Sequence, residues 1–137
     1  MPPITSHLPF PWATPTIWES AGQVISGATT GTALTAGAAN TKGSWVELIA
    51  STANKTVYLI VWARRSAGTP GLIDIGIGAA ASEVVLIPNI SPESAGDGFV
   101  FEGPIRIAAG TRIAARYQNS TASDTGAIAI YLGEVVA

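Results

Sequence analysis

The sequence predicts an all-β domain: an antiparallel β-sandwich, of the jelly-roll kind, with about eight strands. Three observations lead there. From Ser44 onward, short apolar runs are divided by glycine, proline and small polar residues, the punctuation of strands and turns. Within "PIRIAAGTRIAAR", Ile105 and Ile107 alternate with Arg106, while Ile113 and Ala115 alternate with Arg112 and Arg116. A period of two marks strands with one wet face. Long stretches with the 3.6-residue period of an amphipathic helix are absent.

Taken in chain order, the first 18 residues stand apart. Pro2, Pro3, Pro9, Pro11 and Pro15 rule out a central strand there and favour an extended arm. The same stretch carries Ile4, Leu8, Phe10, Trp12 and Trp18. Disordered tails are poor in aromatics, so this arm is expected to dock, with those five residues as its contacts. Residues 1–18 therefore read as an N-terminal arm and 19–137 as one sandwich domain. "WESAGQVISGATTGTALTA" supplies one or two strands, and further strands are expected near 44–51, 56–65, 71–78, 82–88, 98–108, 110–119 and 126–133. In "TVYLIVWA" both alternate faces are apolar, as in a strand covered on both sides; Trp45 and Trp62 read as core. "AAGT" is expected to close a hairpin between residues 105 and 116, with Gly110 free to take positive φ. Tyr117 is in phase with the core. Strand count alone does not fix connectivity, so an immunoglobulin-like sandwich stands as the alternative.

At 137 residues the chain has the length of one domain. Charged residues make up 12% of it, about half of what an ordinary soluble domain carries. Such a surface suits a protein partly covered by other copies or partners. The longest strongly apolar run, Val57 to Ala63, is far short of the ~20 residues of a spanning helix, so no membrane association is expected. The start has neither a basic nor an apolar leader region, and no signal peptide is expected. A net charge of -2 gives no general attraction to nucleic acid. The absence of cysteine excludes disulfides and thiolate metal sites.

The candidates for chemistry are few. His7 is the only histidine and lies in the arm, so neither a Ser-His-Asp triad nor a metal site built on several imidazoles is expected. The nine carboxylates are scattered without calcium-loop spacing. Asp74, in "LIDIGIG", falls on the face opposite Ile73, Ile75 and Ile77, and reads as part of a polar face or as an arginine's partner. "GIGAAA" (76–81) matches a dinucleotide-binding fingerprint only in letters, because the β-rich "SEVVLIPN" follows it where a helix would be needed. Neither a cofactor nor a metal, and no catalytic residue, is expected. Arg106, Arg112 and Arg116 are expected to make structural or subunit-facing contacts. A nucleic-acid strip would need a basic excess and aromatics on the same wet face.

"GAANTKGSWVELIAST" (37–52), "DIGIGAAASEVVLIPN" (74–89) and "PIRIAAGTRIAARYQNSTAS" (104–123) together resemble a β-module found in structural proteins of tailed bacteriophages. Members of that group serve as capsid decoration or cement proteins and as tail or fibre components. The resemblance implies a non-enzymatic virion protein on the outer surface of the capsid, bound to the major capsid protein or another virion protein. It also implies a homo-oligomer, a trimer first among the options. The alternative is a tail or fibre module that binds a receptor or glycan. The resemblance carries over no catalytic residues.

Overall fold

The computed structural model describes residues 16–18, 31–64, 70–92 and 99–135. Nine strands follow one another: β1 (Thr16–Trp18), β2 (Thr32–Thr35), β3 (Val46–Ile49), β4 (Val57–Arg64), β5 (Gly71–Ile77), β6 (Val84–Ile90), β7 (Phe99–Ile107), β8 (Ile113–Asn119) and β9 (Thr125–Val135). Among the described residues there is no helix. The seven strands expected between 44 and 133 all form, each within three residues of its expected bounds. Not every glycine and proline ends a strand: Gly76 lies inside β5, Pro88 inside the edge strand β6, and Gly103 and Pro104 inside β7.

All strand pairings are antiparallel and fall into two sheets. One runs β1-β9-β4-β7, with β2 joining β9 beyond β1; the other runs β3-β8-β5-β6. Four of the pairings nest inside one another: β5 with β6, β4 with β7, β3 with β8 and β2 with β9. The chain thus behaves as one long hairpin folded over on itself, closed by the added pairings β4·β9 and β5·β8.

This arrangement corrects one expectation. The turn around Gly110 forms, with φ +74°, but β7 and β8 do not pair as a hairpin. β7 pairs with β4 in the first sheet, and β8 with β3 and β5 in the second. Alternation of apolar residues shows which side of a strand is buried, yet it does not say which strand lies alongside.

One apolar core draws on both sheets. Leu34, Leu59, Val61, Ile128, Ile130 and Leu132 from the first sheet share one apolar cluster with Ile73, Ile75, Ile113, Ala115 and Tyr117 from the second. Alternate residues of β5 and β8 therefore point inward, and the others are left to the outside. In β4 the consecutive residues Val57, Tyr58 and Leu59 are all buried, as the doubly apolar pattern of that strand implied.

The arm lies largely outside the described residues, Ile4, Leu8, Phe10 and Trp12 among them. Its last three residues, ending at Trp18, form β1, in register with Gly133 to Val135 of β9.

Candidate functional site

The outer face of the β3-β8-β5-β6 sheet gathers six charged side chains, Lys42, Glu47, Asp74, Glu83, Arg112 and Arg116, into ion pairs. Register brings Glu47 of β3 opposite Ala114 of β8, Ala114 opposite Gly76 of β5, and Gly76 opposite Val85 of β6. Two residues along, Asp74 stands opposite Arg116. Because strand side chains alternate, Asp74, Gly76, Ala114 and Arg116 share the side away from the core.

Asp74 is the hub of this face, buried to 3% exposure. Its Oδ1 accepts hydrogen bonds from Lys42 Nζ at 2.7 Å and from the Asn89 backbone N–H at 2.9 Å. Its Oδ2 accepts one from Arg116 Nε at 2.9 Å. Burial alone would raise the carboxyl's pKa, but the bonds from Lys42, Asn89 and Arg116 outweigh it. The group titrates below the usual carboxylate range. Lys42 also reaches Asn89 Oδ1 at 3.1 Å and the Leu72 carbonyl at 3.4 Å. Asn89 adopts φ +54°, a left-handed conformation that asparagine tolerates.

A second cluster lies toward the opposite end of the same face. Arg112 Nε donates to Glu47 Oε2 at 2.7 Å, and its Nη1 donates to Glu83 Oε1 at 2.8 Å and to the Gly78 carbonyl at 3.2 Å. For Glu83, desolvation opposes ionisation, yet its own backbone N–H and the Arg112 guanidinium win and hold its pKa down. The bond to Glu47, followed by that to Glu83, strengthens the protonated state of Arg112.

Trp45 lies between the clusters. The Arg116 guanidinium sits 4.5 Å from the centre of its ring, within cation–π range. The ring also covers Gly76 so closely that a Cβ there would come within 2.6 Å of Trp45 Cη2. Only glycine leaves that space. Trp45 is partly exposed on the outside of the sheet, which corrects its reading as a core residue. Its phase was the missed signal: Trp45 alternates with Glu47, whereas Val46 and Leu48 turn toward the core. The side chain of Trp62 lies outside the described residues.

The three arginines do not form one patch. Arg112 and Arg116 belong to the braced face just described, whereas Arg106 is exposed on β7 of the other sheet, opposite Tyr58. Asp74 does pair with an arginine, one of the two roles its alternation allowed. Lys42 and Glu47, both ion-pair partners here, carried no signal in the sequence beyond their charge. The "GIGAAA" segment is the end of β5 and a turn in which Gly78 has φ +114°, and it leads straight into β6. Among the described residues, no group of three or more histidine or acidic side chains is placed to hold a metal ion. Among the same residues, no helix is long and apolar enough to cross a membrane.

No family model, curated protein or solved structure matches this chain.

Proposed function

We propose that this chain is a non-enzymatic structural protein of a tailed-phage virion, most simply a capsid decoration protein with a jelly-roll sandwich fold. The nested pairing order supports the jelly roll, since that fold is an antiparallel hairpin wrapped into two facing sheets. An immunoglobulin-like sandwich does not nest its strands in this way. The resemblance of residues 37–123 to phage β-modules supports the virion role.

The observation that carries the reading is the braced outer face of the β3-β8-β5-β6 sheet. Its charged side chains are held in fixed pairs that tie the strands and the 42–45 segment together. Rigid, ion-paired surfaces suit a protein whose task is contact, because little side-chain entropy remains to be lost on docking.

The arm is the proposed attachment element. With Trp18 already in β1, Phe10 and Trp12 could together bury roughly 300–500 Å², an upper limit of about 8–13 kcal/mol. Ordering about 15 residues opposes this with roughly 15–30 kcal/mol in a free chain, which the five prolines reduce. One arm thus holds weakly, and firm attachment draws on several arms per oligomer. Deletion of residues 2–15, which spares β1, tests the proposal. The truncated protein should fold and no longer bind its particle; unchanged decoration would overturn the role of the arm.

A second reading, a receptor- or glycan-binding tail module, is favoured by the partly exposed Trp45, since tryptophan rings stack on sugars. Imaging of labelled protein on virions separates the two. Signal over the head lattice supports decoration, and signal confined to the tail supports adhesion.

A further inference from the structure

The two ion clusters on the outer face carry opposite excess charge. Around Asp74, two cations, Lys42 and Arg116, share one carboxylate. Around Arg112, two carboxylates, Glu47 and Glu83, share one guanidinium. One end of the face is therefore left one unit positive and the other one unit negative. Arg112 and Arg116 are four residues apart on β8, roughly 13 Å, while Glu47, level with Ala114, lies roughly 7 Å along the strands from Arg116.

The groups that carry the excess are also the accessible ones. Arg116 spends only its Nε on Asp74, and its side chain is 29% exposed. Glu47 spends only Oε2 on Arg112, and its side chain is 50% exposed. This leaves the Arg116 Nη donors and Glu47 Oε1 without a hydrogen-bond partner among the described residues. Between the clusters the surface is apolar and low. Trp45 lies over Gly76, and Val85, 38% exposed, stands beside them on the edge strand.

We propose that this face is a self-association surface: the β3-β8-β5-β6 sheets of two copies pack face to face, with their strands antiparallel across the interface. A two-fold axis lying between the faces, at right angles to the strands, sets the positive cluster of each copy against the negative cluster of the other. Arg116 of one copy then meets Glu47 of the second, and the same contact recurs by symmetry. Such an interface is isologous, with one patch serving both sides. A second copy fits better than an unrelated acidic or basic partner, because either of those would match one end of the face and repel the other. The composition agrees: a tryptophan and an arginine, the residue types enriched in binding hot spots, surround a small apolar centre with an ionic rim. The charge pattern selects a pair in place of the trimer implied by the phage resemblance.

The size of the face sets the strength. Four strands about 4.8 Å apart and about six residues long present roughly 400 Å² per copy, or about 800 Å² for the pair. That is the range of weak, reversible association. The inference deepens the assembly part of the proposed function and rests on that reading for why the chain self-associates. Its test uses purified protein without particles, so each can fail without the other.

Sedimentation of the full chain from about 10 µM to about 1 mM should show a reversible monomer–dimer equilibrium, weakened by added salt. Glu47→Lys sets like charges together twice in the pair and should raise the dissociation constant at least tenfold. Arg116→Glu should do the same. A mixture of the two variants should recover the dimer, because both cross-contacts become opposite in sign again. Val85→Asp, placed on the exposed edge where folding demands little, should also give monomer. It keeps the test open should Arg116→Glu not fold beside Asp74. A wild-type chain that stays monomeric throughout, or any oligomer that survives both Glu47→Lys and Val85→Asp, would overturn the proposal.

Discussion

Asp74→Asn removes the charge at the hub of the outer face while keeping the shape of the side chain. Lys42 and Arg116 each lose a charge-assisted bond at 2.7 and 2.9 Å, worth about 1.5–3 kcal/mol apiece. The new amide can still accept from the Asn89 N–H, so the third bond need not be lost. Two effects set the net cost. The substituted side chain turns an amide N–H toward one of the cations, which adds to the loss. Against that, the side chains of Lys42 and Arg116 are 17% and 29% exposed and can recruit water, which keeps the cost below that of a fully buried broken pair. The expected loss is about 2–4 kcal/mol, equivalent to a melting temperature lower by roughly 10 °C for a domain of this size. Urea unfolding at neutral pH followed by far-ultraviolet circular dichroism measures it. A change below about 0.5 kcal/mol would show that Asp74 does not hold this face together. The combined variant Lys42→Met, Asp74→Leu, Arg116→Met should recover much of the loss, because no charge is then left without its partner.

The same measurements over pH give a second expectation. Asp74 is more acidic folded than unfolded, so on acidification the unfolded chain takes up the proton first. The stability it contributes is complete above the unfolded pKa of about 3.9 and is lost as pH falls through the lower folded value. Asp74→Asn should flatten this acid slope, leaving the part due to Glu83, which is shifted in the same direction; an unaltered slope would contradict the assignment. Gly76→Ala should cost about 1–3 kcal/mol in the same unfolding assay, because the new methyl overlaps the Trp45 ring. Thr52→Val should cost about 1–3 kcal/mol: Thr52 is 5% exposed, and its hydroxyl donates to the Ala108 carbonyl at 2.8 Å and accepts from the Thr111 N–H at 3.0 Å, tying the β3–β4 loop to the β7–β8 turn.

The strands were legible because each is written in local terms. Ile73 and Ile75 against Asp74, or Ile113 and Ala115 against Arg116, need only a window of a few residues to show which side is buried. Tyr117 shows the same clarity: its phase put it in the core, and it is fully buried there. Gly110 announced its turn because a bend with positive φ favours a residue without a Cβ.

What stayed hidden depends on partners far along the chain. The apparent hairpin around Gly110 contains nothing that tells β7 to join β4 and β8 to join β5, since those choices are made by residues 30 or more positions away. The outer face was hidden for the same reason. Lys42, Asp74, Asn89 and Arg116 come from four separate segments, and only nested pairing brings them within hydrogen-bond reach. Trp45 shows where the line falls. Its phase with Glu47 already placed it outside, but an exposed tryptophan is costly unless something receives the ring. The receiving surface is Gly76, about 30 residues on, in phase with Asp74 and bare of a side chain. A glycine inside a strand marks a close approach of some other group. Pairing each such glycine with the large residue left out of phase with its own strand's core side is therefore a rule that sequence alone could apply.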